Sequence, residues 1–328
     1  MGDSVVRGID RVPIWDNRMK RPLFAFIAIA YTLSIALSLV VGSTGGGQSR
    51  FAFGMGVASM FVPAVATLVV VLAMKAKAPL LGGNRLPLRY LPIALLLMPI
   101  VMHAAMLPVA AYLWGGLPWA NWLTPEADGL YHTPATRNWG VLTSTGLVAR
   151  ITTNTVVGLA ANSSLAVFEE IGWRAWMLPR LMECLNVQRA VTASAIIWAF
   201  WHTPFALGGI HHLPGIPILL VAVTLPILTI GAGLVIGWLW VRTQSIWIVA
   251  LAHGALNNWG QYAFKFMEDG GPGGQPRDMM ILGAGGLALL MVGSLLVARG
   301  LSSAPPRQTS AQRSQVVTTQ QRDGAVGT

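Results

Sequence analysis

The sequence predicts an all-α, polytopic transmembrane helix bundle, and three observations carry that prediction. Apolar residues make up 54% of the 328-residue chain and charged residues only 10%, a membrane composition rather than a globular one. Apolar runs of about 20 residues recur along the chain, the length needed to cross a hydrocarbon core about 30 Å thick. The 22 Lys and Arg residues fall between those runs and in the tails, not in one interleaved patch. The net charge of +10 therefore reads as membrane topology, and nucleic acid is not an expected partner.

The spans read roughly as 22–42, 52–74, 90–114, 152–178, 190–208, 216–241, 246–265 and 280–298, about eight in all, within a bundle covering 22–300. Placing the basic residues on alternate sides tests this count, because cytoplasmic loops carry the excess of Lys and Arg. Seventeen fall on one side and five, Arg50, Arg137, Arg150, Lys265 and Arg277, on the other. Both termini are thus expected in the cytoplasm. Residues 1–21 hold Asp3, Asp10 and Asp16 among basic residues, and no small-residue cleavage site closes the first apolar run. They read as a cytoplasmic segment before a retained first span.

The loop 115–139, with Pro118, Trp119, Trp122, Tyr131 and Trp139, suits an interface-hugging outer segment without assigned chemistry. Residues 140–151 either extend the fourth helix outward or form a separate interfacial piece. The Gly270–Gly274 run lacks the Lys-Ser/Thr ending and the preceding strand of a phosphate loop, so it is punctuation between the last two spans. Residues 301–328 are rich in Ser, Thr, Gln and Arg and read as a disordered cytoplasmic tail. The single cysteine, Cys184, excludes an intramolecular disulfide framework and reads as a small apolar filler.

Against this background the stretch Phe168-Glu169-Glu170-Ile171-Gly172-Trp173-Arg174 stands apart. An ionisable group within a hydrocarbon layer costs roughly 2.5 to 3.5 kcal/mol on insertion scales, so it is rare and usually marks a site. Glu170 and Arg174 are four apart and share a helix face, whereas Glu169 is rotated about 100° and looks elsewhere. The same spacing puts Trp198 with His202 on the fifth span, and His253 with Asn257 on the seventh. With the fourth helix expected to stop before Pro179, the two glutamates lie about 12 to 14 Å from its end, His202 about 20 Å in, His253 about 12 Å and Asn257 about 18 Å. These depths agree with one shared site between the cytoplasmic face and about the middle of the core, a little past it for His202.

The chemistry of such a set is water activation. A carboxylate beside an imidazole can take a proton from water, and a second imidazole with an amide can donate to the oxyanion formed when that water attacks a carbonyl. Either glutamate suits the role of base on this reading. His202, His253 and a glutamate such as Glu169, with a position open for water, are equally a ligand set for catalytic zinc.

The pattern resembles the CPBP family of intramembrane proteases, whose eukaryotic members cleave prenylated CaaX proteins and whose bacterial members include bacteriocin self-immunity proteins. The family pattern of Glu-Glu-x-x-x-Arg, Phe-x-x-x-His and His-x-x-x-Asn appears here as Glu169-Glu170-x-x-x-Arg174, Trp198-x-x-x-His202 and His253-x-x-x-Asn257. It occupies a motif core at 167–259, with Trp198 in place of the family's phenylalanine. The resemblance implies that Glu169 and His202 activate the water, that His253 and Asn257 stabilise the oxyanion, and that Glu170 and Arg174 support the geometry. It implies an intramembrane endopeptidase acting on a membrane-associated peptide.

The Ala, Gly and Arg usage and the lack of an organelle signal favour a bacterial inner-membrane protein, whose substrate is a membrane-embedded or lipid-anchored peptide. Two other functions compete: a non-catalytic immunity or scaffold protein of the same fold, and a proton-coupled transporter relaying protons through the glutamates and histidines. The gathering of polar groups toward one face disfavours the transporter. His211 and His212 read as interfacial polar residues, and His103 as a plain interhelical hydrogen bond.

Overall fold

A computed structural model of the chain describes residues 17–44, 50–81, 86–114, 125, 127–132, 141–208, 217–260 and 276–301. Expectations for residues 1–16, most of the 115–139 loop, His211, His212, the Gly270–Gly274 run and the tail beyond residue 301 fall outside them. The described residues form an α-helical bundle. The helices are α1 (Asn17–Ser43), α2 (Arg50–Ser59), α3 (Val62–Ala73), α4 (Leu91–Trp114), α5 (Ser144–Glu170), α6 (Leu178–Cys184), α7 (Val187–Trp201), α8 (Thr203–Leu207), α9 (Ile218–Thr243), α10 (Ile246–Trp259) and α11 (Pro276–Gly300). A two-residue antiparallel pair, Tyr131–His132 against Val141–Leu142, is the one β element among the described residues.

Six of these helical stretches are long and apolar enough to cross a membrane, and a seventh would be the α2–α3 pair, bent by 41°. α10 has only 14 residues, about 21 Å of helix, which is less than a full span needs. α10 sits centrally, packed against α5, α4 and α9, while α11 lies along α9 and α4, and α7 along α9. The core is apolar and aromatic, with Trp173, Trp176, Trp198, Trp201 and Trp240 all fully or almost fully buried.

Both ends of the fourth helix bear on the site. Residues 144–151 belong to the fourth helix, whose N-terminus Thr143 caps by accepting the Gly146 N–H at 3.2 Å, with Val141–Leu142 in the strand before it. At its other end the helix does not stop before Pro179. It passes through a π-helical segment, Ile171–Met177, into α6, giving one helical run from Ser144 to Cys184. Proline is tolerated here because the donor it lacks comes from another segment. The Ala175 carbonyl, four residues before Pro179, accepts the Leu80 backbone N–H at 2.8 Å, which removes the main cost of an interior proline. Arg180 and the Trp176 indole both donate to the Lys77 carbonyl, so Lys77–Leu80 is strapped along this run. Measured from Cys184, Glu170 lies about 21 Å along the helix, deeper than a stop before Pro179 would place it.

Candidate active site

The two glutamates diverge as their rotation about the helix requires. Glu170 faces α10. Its Oε1 accepts the Arg174 guanidinium at 3.0 Å and His253 Nδ1 at 2.9 Å, and both its carboxylate and the Arg174 side chain are fully buried. Glu169 faces α7, where its Oε2 accepts the Trp198 indole N–H at 2.9 Å. Both carboxylates end α5 where the π-helical segment begins. A π segment adds a residue to the turn and is found disproportionately at functional sites.

Trp198 joins the parts. Its indole packs edge-on against His202 and His253, with ring centroids at 5.2 and 5.1 Å, and the Arg174 guanidinium lies 4.3 Å from its ring centre. His202 closes the C-terminus of α7, and its Nδ1 donates to the Trp198 carbonyl at 2.9 Å. Glu169, Glu170, Arg174, Trp198, His202 and His253 thus meet in one cluster, drawn from three helical runs as the depths suggested. Asn257 lies one turn beyond His253 on α10, partly exposed, and the site's hydrogen bonds among the described residues do not include it. His103 lies apart from this cluster and bonds the Pro99 carbonyl of its own helix at 2.7 Å. Among the described residues its hydrogen bond is thus within its own helix rather than the expected interhelical one.

Small residues bring α10 to α5. A Cβ built on Gly254 would lie 2.2 Å from Ser163 Oγ and 2.6 Å from Ser163 Cα, so only glycine permits this approach beside His253. Asn258 donates to the Asn154 carbonyl at 3.0 Å and the Trp259 indole to the Thr155 carbonyl at 3.2 Å, which ties the end of α10 antiparallel along α5. On the other side, Gly172 lies against Pro63 of α3, where an added Cβ would come within 2.5 Å of the ring. The Phe61 and Phe168 rings meet at 4.4 Å beside Glu169. Sequence reasoning passed over Ser163, Gly254 and Asn258. The signal available was the small-residue run Ala160-Ala161-Asn162-Ser163-Ser164, of the kind that lets membrane helices approach closely.

The sequence also allowed a zinc set of Glu169, His202 and His253. Among the described residues no three His, Cys, Asp or Glu side chains are grouped to hold a metal ion. Glu169 Oε2 accepts the indole N–H, and both imidazoles use Nδ1 within the site, His253 on the Glu170 carboxylate and His202 on the Trp198 carbonyl.

Residues 151–259 match the model of the family described as Type II CAAX prenyl endopeptidase Rce1-like. The match spans every residue of the cluster and agrees with the CPBP resemblance of the three motifs. No curated protein matches the chain. The apolar helices and the match together support a multi-pass membrane chain whose residues 151–259 are similar to CAAX prenyl endopeptidases.

Proposed function

We propose that this chain is an intramembrane endopeptidase that cleaves a membrane-associated peptide with a water activated by Glu169 and His202. The observation that carries the reading is the convergence of two carboxylates, two imidazoles and an arginine on Trp198 inside an apolar bundle. Isolated ionisable groups at such depth are costly, and a cluster of them is a functional device by default.

The choice between the glutamates follows from their partners. Glu170 Oε1 is engaged twice, and its Oε2 is sealed from solvent without a hydrogen bond. Glu169 is engaged once, through Oε2, which leaves Oε1 as the oxygen able to take a proton. In the proposed step the water oxygen bonds to the peptide carbonyl carbon while one water proton passes to Glu169. The carbonyl π pair becomes the oxyanion. His253, held by Glu170 through Nδ1, and the Asn257 amide are the proposed donors to that oxyanion. Collapse of the intermediate re-forms the carbonyl and breaks the C–N bond as Glu169 returns the proton to the leaving nitrogen.

Glu170 and Arg174 support the geometry. The carboxylate fixes which way the His253 ring faces, as second partners of catalytic imidazoles do. The reading places the site toward the cytoplasmic side of a bacterial inner membrane, with both termini in the cytoplasm, as the Lys and Arg asymmetry suggests. The substrate is a lipidated or membrane-embedded peptide, in keeping with the family's description.

The test is cleavage of a quenched library of lipidated and plain peptides by detergent-purified protein, with and without chelator, alongside elemental analysis. Metal-free, chelator-insensitive cleavage by the wild type and none by a folded Glu169→Gln variant is the expected result. Stoichiometric zinc with chelator-sensitive cleavage would overturn the metal-free mechanism. Wild-type turnover by Glu169→Gln would move the base to Glu170. No cleavage of any peptide would favour a binding protein of the same fold.

A further inference from the structure

The aromatic position one turn before His202 is where this chain departs from the family pattern, and the departure changes chemistry as well as shape. Phenylalanine carries no hydrogen-bond donor. Tryptophan carries one, and here it lies 2.9 Å from Glu169 Oε2. We propose that Trp198 is a positioning residue for hydrolysis, whose indole N–H holds the Glu169 carboxylate so that Oε1 faces the attacking water. The proposal rests on the reading of Glu169 as the base.

Three features argue that this contact is specific. Trp198 is only 2% exposed, so its N–H has no access to bulk water and must find a protein acceptor. The acceptor it finds is one oxygen of one carboxylate. The indole is itself held from several sides. Arg174 covers its face, His202 and His253 meet it edge-on, and Gly233 of α9 lets the helices approach so closely that an added Cβ would lie 3.3 Å from the indole ring. A donor fixed in this way orients the carboxylate without reorganising during the reaction, which is the condition for preorganised catalysis.

The same geometry gives the rest of the site a reason to contain Trp198. Its backbone carbonyl accepts His202 Nδ1, which fixes how that ring is turned. One residue therefore orients both proposed water-activating groups, Glu169 through the side chain and His202 through the main chain. Substitution of the side chain removes only the first of these.

The experiment replaces the indole by its isostere. Benzothienylalanine at position 198 keeps the shape and the ring contacts but lacks the N–H, and Trp198→Phe provides the family's own residue. Both are expected to lower kcat by about 10- to 100-fold, the range for loss of a hydrogen bond to a charged group, with KM and thermal stability of the benzothienyl protein unchanged. Wild-type kcat in the benzothienyl protein, or a change confined to KM, would overturn the proposal while leaving the protease reading intact. A second measurement needs no activity. The Trp198 indole proton resonance, identified by its loss in Trp198→Phe, is expected to move upfield in Glu169→Gln. If it stays in place, the contact is absent and the proposal fails, whether or not the wild type cleaves any peptide.

Discussion

Replacing Gly254 with alanine would put a methyl carbon 2.2 Å from Ser163 Oγ, 2.5 Å from the Ser163 backbone nitrogen and 2.6 Å from its Cα. Carbon atoms are comfortable at about 3.5 to 4.0 Å, so α10 must retreat from α5 by about 1 Å. The retreat cannot be confined to a side chain, because two of the three clashing atoms are backbone. His253 adjoins Gly254, and its 2.9 Å bond to Glu170 would lengthen to nearly 4 Å, beyond hydrogen-bond range. A 1 Å misplacement of a catalytic group costs on the order of 10²-fold in rate. Gly254→Ala is therefore expected to lose about that much kcat while remaining inserted, measured as peptide cleavage in detergent beside a thermal melt. Ser163→Gly should not rescue it, since the Oγ contact goes but the two backbone contacts stay. Wild-type turnover by Gly254→Ala, or full rescue by Ser163→Gly, would refute the claim that this close approach sets the position of His253.

Glu170→Ala leaves Arg174 buried without its ion partner, and loss of one member of a buried pair costs about 3 to 5 kcal/mol; a large drop in melting temperature is expected, partly recovered in Glu170→Leu/Arg174→Met. The adjacent asparagines should separate cleanly. Asn258→Ala deletes a buried donor to the Asn154 carbonyl and is expected to cost about 1 to 3 kcal/mol of stability, whereas Asn257→Ala should lower kcat by about 10²- to 10³-fold, as for loss of one oxyanion donor, with little change in melting. His253→Ala should lower the rate without abolishing it and leave metal content unaltered, checked by single-turnover cleavage and elemental analysis. Thr143→Ala should cost about 1 kcal/mol through loss of the α5 cap, read by thermal melting with activity retained.

The sequence alone was enough for the membrane class, the approximate limits of most helices and the composition of the site. The reason is that hydrocarbon imposes a severe local filter: apolar runs must be long enough to span, and ionisable residues inside them stand out against their neighbours. Spacing on a helix is equally local, so the shared face of Glu170 and Arg174 and the divergence of Glu169 were both legible, and the 3.0 Å ion pair realises the first. Resemblance to the family pattern supplied roles that composition could not.

What only the tertiary structure decided was which group meets which. Pro179 should end a helix by local rules, but the Leu80 N–H, distant in sequence, supplies the donor that Ala175 needs, and the helix runs on. A zinc set reads well as a list of ligand types, yet among the described residues no three such side chains are grouped to hold a metal ion. His103 looked outward by type and bonded inward by geometry. Trp198 read as the supporting aromatic of its motif, and the fold makes it the donor to Glu169. In each case the deciding partner lies on another segment or is one of several equally near. A chain read residue by residue carries donors and acceptors but not their pairing, which is fixed only when close packing of helices at positions such as Gly254 brings the groups within hydrogen-bond distance.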